Sequence, residues 1–135
     1  MNSELLIKKH EGKRNKVYYD SEGIMTVGYG YNLDKGLSDQ AVDFLFSESM
    51  NDVYADCLSF HWYGHLSTVR RAVIENMLFN LGRQRFLGFK RTIQHIESGE
   101  YDKAADEMLD SKWARQVGYR ANELSEMMRT DTWPS

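Results

Sequence analysis

Residues 17–32 read VYYDSEGIMTVGYGYN. These sixteen positions hold four tyrosines, one aspartate, one threonine and three glycines. "IMTVGYGY" alternates weakly with a period of two, the spacing of a strand. "DSEG" (20–23) and "DKG" (34–36) are turn signals, since Asp hydrogen-bonds its own backbone and Gly accepts the left-handed conformation. Strands seldom carry this much glycine without a reason. Residues 13–36 are therefore expected to form turns and short strands, with the backbone loosened around Asp20 and Thr26.

The flanks read differently. Residues 3–11 predict a short helix capped by Ser3, with Leu5, Leu6 and Ile7 as its apolar face and Gly12 as its stop. From Ser38 onward the chain reads as helices. The first is capped by Ser38, with Ala41, Phe44, Leu45 and Val53 at helical spacing. The next is capped by Ser67, with Val69, Val73, Met77 and Leu81 in one stripe and Gly82 at its end. "FKRTIQHIESG", "YDKAADEMLDSKWARQV" and "YRANELSEMMR" complete the set, and the only proline, Pro134, lies beyond them. The expected class is α+β, mainly helical. A small β-rich lobe of about residues 12–37 joins a helical lobe of about 38–135, with helix 3–11 packing on the latter.

Bulk properties narrow the function. The 135 residues suit one domain able to bury a core unaided. A net charge of -3, with Lys and Arg scattered, carries no nucleic-acid footprint. The single cysteine, Cys57, excludes an internal disulfide and reads as a buried, inert thiol. No apolar run reaches the ~20 residues of a membrane span. "MNSELLIKKHEG" has charges where a signal peptide needs an apolar block, so no export route of its own is expected.

Three residues suggest chemistry as a set. Glu11 closes a predicted helix, whose negative dipole end disfavours a carboxylate anion and so suits a general acid. Asp20 sits in the turn, where its alternative role is to cap its own backbone. Thr26 follows on a strand. Glycosidases need a protonated carboxyl and an ionised carboxylate flanking a sugar bond, and an inverting one needs a held water, which a hydroxyl beside the aspartate could supply.

The pattern E-x8-D-x5-T followed by "GYG", here Glu11, Asp20, Thr26 and Gly28–Gly30, resembles the phage lysozymes of glycoside hydrolase family 24, the T-even phage lysozyme family. "RRAVIENMLFNLG" (70–82), "GFKRTI" (88–93), "SKWARQVGYRANELSEMMRT" (111–130) and "TW" (132–133) resemble its helical-lobe motifs in the same order. The resemblance implies a two-lobed lysozyme-like fold. It implies hydrolysis, with inversion, of the β-1,4 bond between N-acetylmuramic acid and N-acetylglucosamine in peptidoglycan. Glu11 would be the general acid, Asp20 would assist the attacking water, and Thr26 would position it. Arg120 matches an arginine that pairs with the catalytic glutamate. Phe79, Thr92 and Asn32 match substrate-contacting positions. No metal or other cofactor is implied.

The resemblance further implies a monomeric endolysin that acts on peptidoglycan glycan strands. It would accumulate in the bacterial host cytoplasm and reach the periplasm and wall through a separate holin-type pore, without inserting in the membrane. Tail-associated or prophage-encoded roles are alternatives. So are an inactive wall-binding module, against which the intact trio argues, and a lytic transglycosylase, against which Thr26 argues.

The chain departs from the family at Tyr31, where a histidine is usual, at the short segment "LDKGL" (33–37), and at Asp131, where a glycine is usual. Asp131 is expected to carry a cost if its backbone is left-handed. His61 and His65 have metal-like spacing but no evident third ligand and read as structural. Trp62, Trp113 and Trp133 are candidate sugar platforms, with core packing the reading for Trp113 and Trp133. The arginines at 70, 71, 83, 85 and 91 read as a solvated face.

Overall fold

The computed structural model describes the whole chain, Met1–Ser135. It forms two compact units, Met1–Leu45 and Phe46–Ser135. The fold is α+β and mainly helical, with one small antiparallel sheet. No helix is long and apolar enough to cross a membrane.

The first unit opens with α1 (Ser3–Glu11). Its cap is Asn2 rather than the expected Ser3. The Asn2 side chain accepts from the Leu5 amide at 2.9 Å, the bond an N-cap makes to N3, so Ser3 becomes the first helical residue. Gly12 ends the helix at φ 74°, a conformation that favours glycine. Three strands follow, β1 (Arg14–Tyr19), β2 (Met25–Gly28) and β3 (Tyr31–Asn32), in the order β1-β2-β3. Tyr18 pairs with Thr26 and Thr26 with Asn32, while the β1–β2 register slips between Arg14 and Tyr18.

A 3-10 turn over Leu33–Lys35 leads to α2 (Asp39–Leu58), which runs on into the second unit. Ser38 caps it, accepting from the Ala41 amide at 3.1 Å. Its expected apolar face is only partly covered. Val53 and Cys57 are buried, but Phe44 is 63% exposed. Helical spacing fixes which residues share a face. It does not fix what covers them, and Phe44 and Leu45 line an open apolar groove with Leu33 and Leu37.

The second unit is built around α3 (Thr68–Leu81). Ser67 caps it at 3.2 Å from the Arg70 amide, and Val69, Val73, Met77 and Leu81 are all buried as one stripe. Phe60, Trp62 and Phe86 stack beside them, with Phe60 and Trp62 5.1 Å apart and nearly parallel. Fully burying a ring such as Phe86, which is 0% exposed, stabilises by ~1.5–3 kcal/mol.

The remaining helices are α4 (Arg83–Leu87), α5 (Lys90–Glu97), α6 (Tyr101–Leu109), α7 (Lys112–Val117) and α8 (Tyr119–Thr130). The helical stretch YDKAADEMLDSKWARQV breaks in the middle. Ser111 accepts from the Ala114 amide at 3.0 Å and starts α7 as a new helix. Trp62 and Trp113 are core residues, whereas Trp133 is 59% exposed. The expected core role of Trp133 is thus corrected: it lies beyond the end of α8 and lines an open surface cleft with Tyr119, Asn122 and Met127 of that helix. Cys57 is wholly buried, and that burial, with the nearby Glu75 carboxylate, pushes its thiol up to about 12. His61 Nε2 lies 3.3 Å from the Glu97 carboxylate.

Candidate active site

Glu11, Asp20, Thr26 and Asn32 all belong to the first unit. Glu11 is the last residue of α1, and its carboxylate rests on the turn that joins β2 to β3. A Cβ built on Gly30 would lie 2.7 Å from Glu11 Oε2. A side chain there would displace the carboxylate from this position, and the φ of +79° is also one that side chains rarely adopt. One turn earlier on α1, Lys8 Nζ lies 5.4 Å from the centre of the Tyr29 ring, a cation–π contact that ties the helix end to the same turn. Tyr31 donates its hydroxyl to the Gly36 carbonyl and so links β3 to the following loop.

Asp20 closes the β1–β2 turn. Its Oδ1 accepts from the amides of Glu22 and Ile24, each at 2.9 Å, while its own amide donates to the Ile24 carbonyl. The backbone-capping role is therefore real. It occupies one carboxylate oxygen and fixes the direction of the other, Oδ2. Thr26 is 3% exposed and donates its hydroxyl to the Ile24 carbonyl at 2.8 Å. The proton is thus committed, and Oγ1 is left as an acceptor. Asn32 is paired with Thr26 across the strands, and its Oδ1 accepts from the Asp34 amide at 2.8 Å.

Phe79, Thr92 and Arg120 belong to the second unit. Phe79 is 44% exposed and forms a tilted pair with Phe46, ring centres 5.5 Å apart. Thr92 is buried in the first turn of α5 and lines a cleft of ≈ 680 Å³. Arg120 is held within its own unit by Asn76, through Nε at 2.8 Å and Nη2 at 3.5 Å.

The sequence gives the glycines of the β2–β3 turn only a general role, loosening the backbone around Asp20 and Thr26. The structure gives Gly30 a specific one that only the fold reveals, since its neighbour Glu11 is far away in sequence. Gly28, with φ +71°, has nothing within 4 Å of a built Cβ and serves the turn alone. The Lys8–Tyr29 contact carried no signal either.

The family described as phage lysozyme matches residues 8–129 of the chain. Two proteins of Dictyostelium discoideum, "Probable T4-type lysozyme 2" and "Probable T4-type lysozyme 1", are each 25% identical over 94% of the chain and 93% of their own length. The "Pre-baseplate central spike protein Gp5" of Enterobacteria phage T4 is also 25% identical, over 93% of the chain and 27% of its own length.

Proposed function

The chain belongs to the phage lysozyme family, and from that premise we propose that it hydrolyses the β-1,4 bond between N-acetylmuramic acid and N-acetylglucosamine in bacterial peptidoglycan, with inversion. The observation that carries this reading is the seating of Glu11. One compact unit holds a carboxyl resting against a glycine turn, a second carboxylate with one oxygen tied down, and a buried hydroxyl oriented as an acceptor.

Glu11 acts as general acid and protonates the departing glycosidic oxygen, so that the sugar leaves as an alcohol rather than an alkoxide. As that bond lengthens, positive charge builds at the anomeric carbon. Asp20, anchored through Oδ1, offers Oδ2 to the water that attacks from the opposite ring face and takes its proton. Thr26 Oγ1 accepts the water's other hydrogen and aims its lone pair at the anomeric carbon. One proton enters at Glu11, one leaves at Asp20, and the anomeric configuration inverts. The chemistry draws on no metal or cofactor.

Phe79, Thr92, Asn32 and Arg120 would contact or position the glycan. The biological role we propose is that of an endolysin, active as a monomer on glycan strands after leaving the host cytoplasm through a pore made by another protein. A turbidity assay on permeabilised Gram-negative cells tests the reading. Clearing by the wild-type protein and not by Glu11→Gln supports it. Clearing by both removes Glu11 from the acid's role, and no clearing by either while the folded protein pulls down with wall replaces hydrolysis with binding.

A further inference from the structure

The chain turns back on itself at the end of α8. Asp131 stands in the left-handed region at φ 59°, accepts a hydrogen bond from Ser67 and lies 3.8 Å from Arg70. The hydroxyls of Thr130 and Thr132 share a hydrogen bond of 2.6 Å across it. The segment leaving the helix is therefore held in one direction, back along α8. Trp133 lines one cleft of ≈ 360 Å³ together with Tyr119, the first residue of that helix. Tyr119, Glu123 and Glu126 recur at the spacing that shares one helix face, and buried Met127 lines the same cleft.

Two features of this cleft are unfavourable while it stands open. The first is its rings. Tyr119 is 76% exposed and Trp133 59% exposed, whereas Trp62 and Trp113 are buried. A single exposed apolar residue is ordinary, but two large rings giving most of their faces to one concavity is the kind of surface that marks a ligand site. The second is its charge. Glu123 and Glu126 are three apart on the helix, where like charges repel. No lysine, arginine or histidine lines the cleft. Arg129 comes only to 3.9 Å of Glu126 through Nε, its Nη2 being bound by Asp106 at 2.8 Å. The cleft thus asks for an occupant that is cationic and has an apolar face.

We propose that this cleft holds a glucosamine unit whose amine is free and protonated. The carboxylates of Glu123 and Glu126 take the ammonium through charge-assisted hydrogen bonds, which relieves their mutual repulsion. The C–H face of the sugar ring lies on an aromatic face, whose negative π-cloud attracts both those hydrogens and the ammonium. Asn122 offers its amide to the sugar hydroxyls. An acetylated glucosamine brings no charge to the carboxylates, and an aliphatic amine brings no ring to cover the aromatics. That the carrier is a glycan rests on the wall-hydrolysing reading above, while the demand for positive charge comes from the cleft alone. The site belongs wholly to the second unit, whereas Glu11, Asp20 and Thr26 belong to the first, so it holds a strand without taking part in the cleavage.

The test is an amide-resolved NMR titration of the full chain at constant low ionic strength and about pH 6, where carboxylates are ordinarily ionised and amines charged. The ligands are trimers of glucosamine, of N-acetylglucosamine and of end-blocked lysine. The expected result is saturable shifts at Tyr119, Asn122, Glu123 and the Trp133 indole N–H, with the glucosamine trimer bound about tenfold more tightly than the other two. Glu123→Gln should weaken the glucosamine trimer about threefold, the scale of one exposed ion pair, and leave the N-acetylglucosamine trimer unchanged. Trp133→Ala should weaken both sugars about fivefold. Each variant is checked for an intact spectrum. No saturation by the glucosamine trimer at these residues overturns the site, and an affinity unmoved by either variant overturns the contact that variant removes. An N-acetylglucosamine trimer bound as tightly overturns the need for charge, and a lysine trimer bound as tightly overturns the sugar. None of these readouts needs hydrolysis, so failure of this site and failure of the lysozyme reading are told apart.

Discussion

Replacing Gly30 with alanine separates the seating of Glu11 from the stability of the turn. Two costs arise. The first is conformational: an alanine at φ +79° costs about 1–2 kcal/mol. The second is positional. The new Cβ would stand 2.7 Å from Glu11 Oε2, against 3.4 Å for ordinary contact, so the carboxylate must retreat by about 0.7 Å. Its side chain is exposed and flexible, so this retreat adds little to the loss of stability. It matters for proton delivery, where a displacement of about 1 Å costs roughly 100-fold; we expect a fall of about 10- to 100-fold in clearing rate. Gly28→Ala is the matched control. It bears the same backbone cost at φ +71°, yet a Cβ there meets nothing within 4 Å. Both variants should lose similar stability in urea, while only Gly30→Ala loses most of its activity in the turbidity assay. Equal clearing rates for the two folded variants would refute the claim that Gly30 exists to seat Glu11.

Further outcomes follow from the same structure. Asn2→Ala should destabilise α1 by about 1 kcal/mol and Ser3→Ala by much less, read as a difference in urea midpoint. Phe86→Ala should cost ~3–5 kcal/mol, because the ring is wholly enclosed by the second unit's core. Asp131, at φ 59°, accepts a hydrogen bond from Ser67 and lies 3.8 Å from Arg70. Asp131→Ala loses these contacts and keeps the left-handed strain, so it should be less stable than Asp131→Gly in thermal melts. The Cys57 thiol, raised from 9.0 to about 12, stays neutral in the folded chain while the unfolded chain ionises. Its stabilisation is full below pH 9 and is lost as pH rises towards 12, so urea midpoints should fall more steeply over that range for wild type than for Cys57→Ala.

Much of this fold is local and could be read from the chain. Ser38, Ser67, Gly12 and Gly82 act where the sequence places them, because a cap depends on residues three or four positions away. The stripe from Val69 to Leu81 is buried because its spacing already puts it on one face. What stayed hidden depends on neighbours distant in sequence or on competition between adjacent signals. Asn2 and Ser3 are both good caps, and helical spacing does not choose between them. The periodicity of the stretch from Tyr101 to Val117 runs through the break that Ser111 makes. Short α4 lies between two glycines, Gly82 and Gly88, with little periodicity to betray it. Glu11, Asp20 and Thr26 could be named as a set because their pattern resembles that of the phage lysozyme family. The committed hydrogen of Thr26, the single free oxygen of Asp20 and the space beside Gly30 belong to the folded sheet.

The most direct measurement of the central claim is the chemistry of the new chain ends. Purified peptidoglycan should be digested to early conversion and the products followed by proton NMR and mass spectrometry. The account predicts reducing N-acetylmuramic acid ends that appear first as the α anomer, and none in the presence of Glu11→Gln. Anhydro ends, or β anomers appearing first, would contradict a water held by Asp20 and Thr26 opposite the acid Glu11.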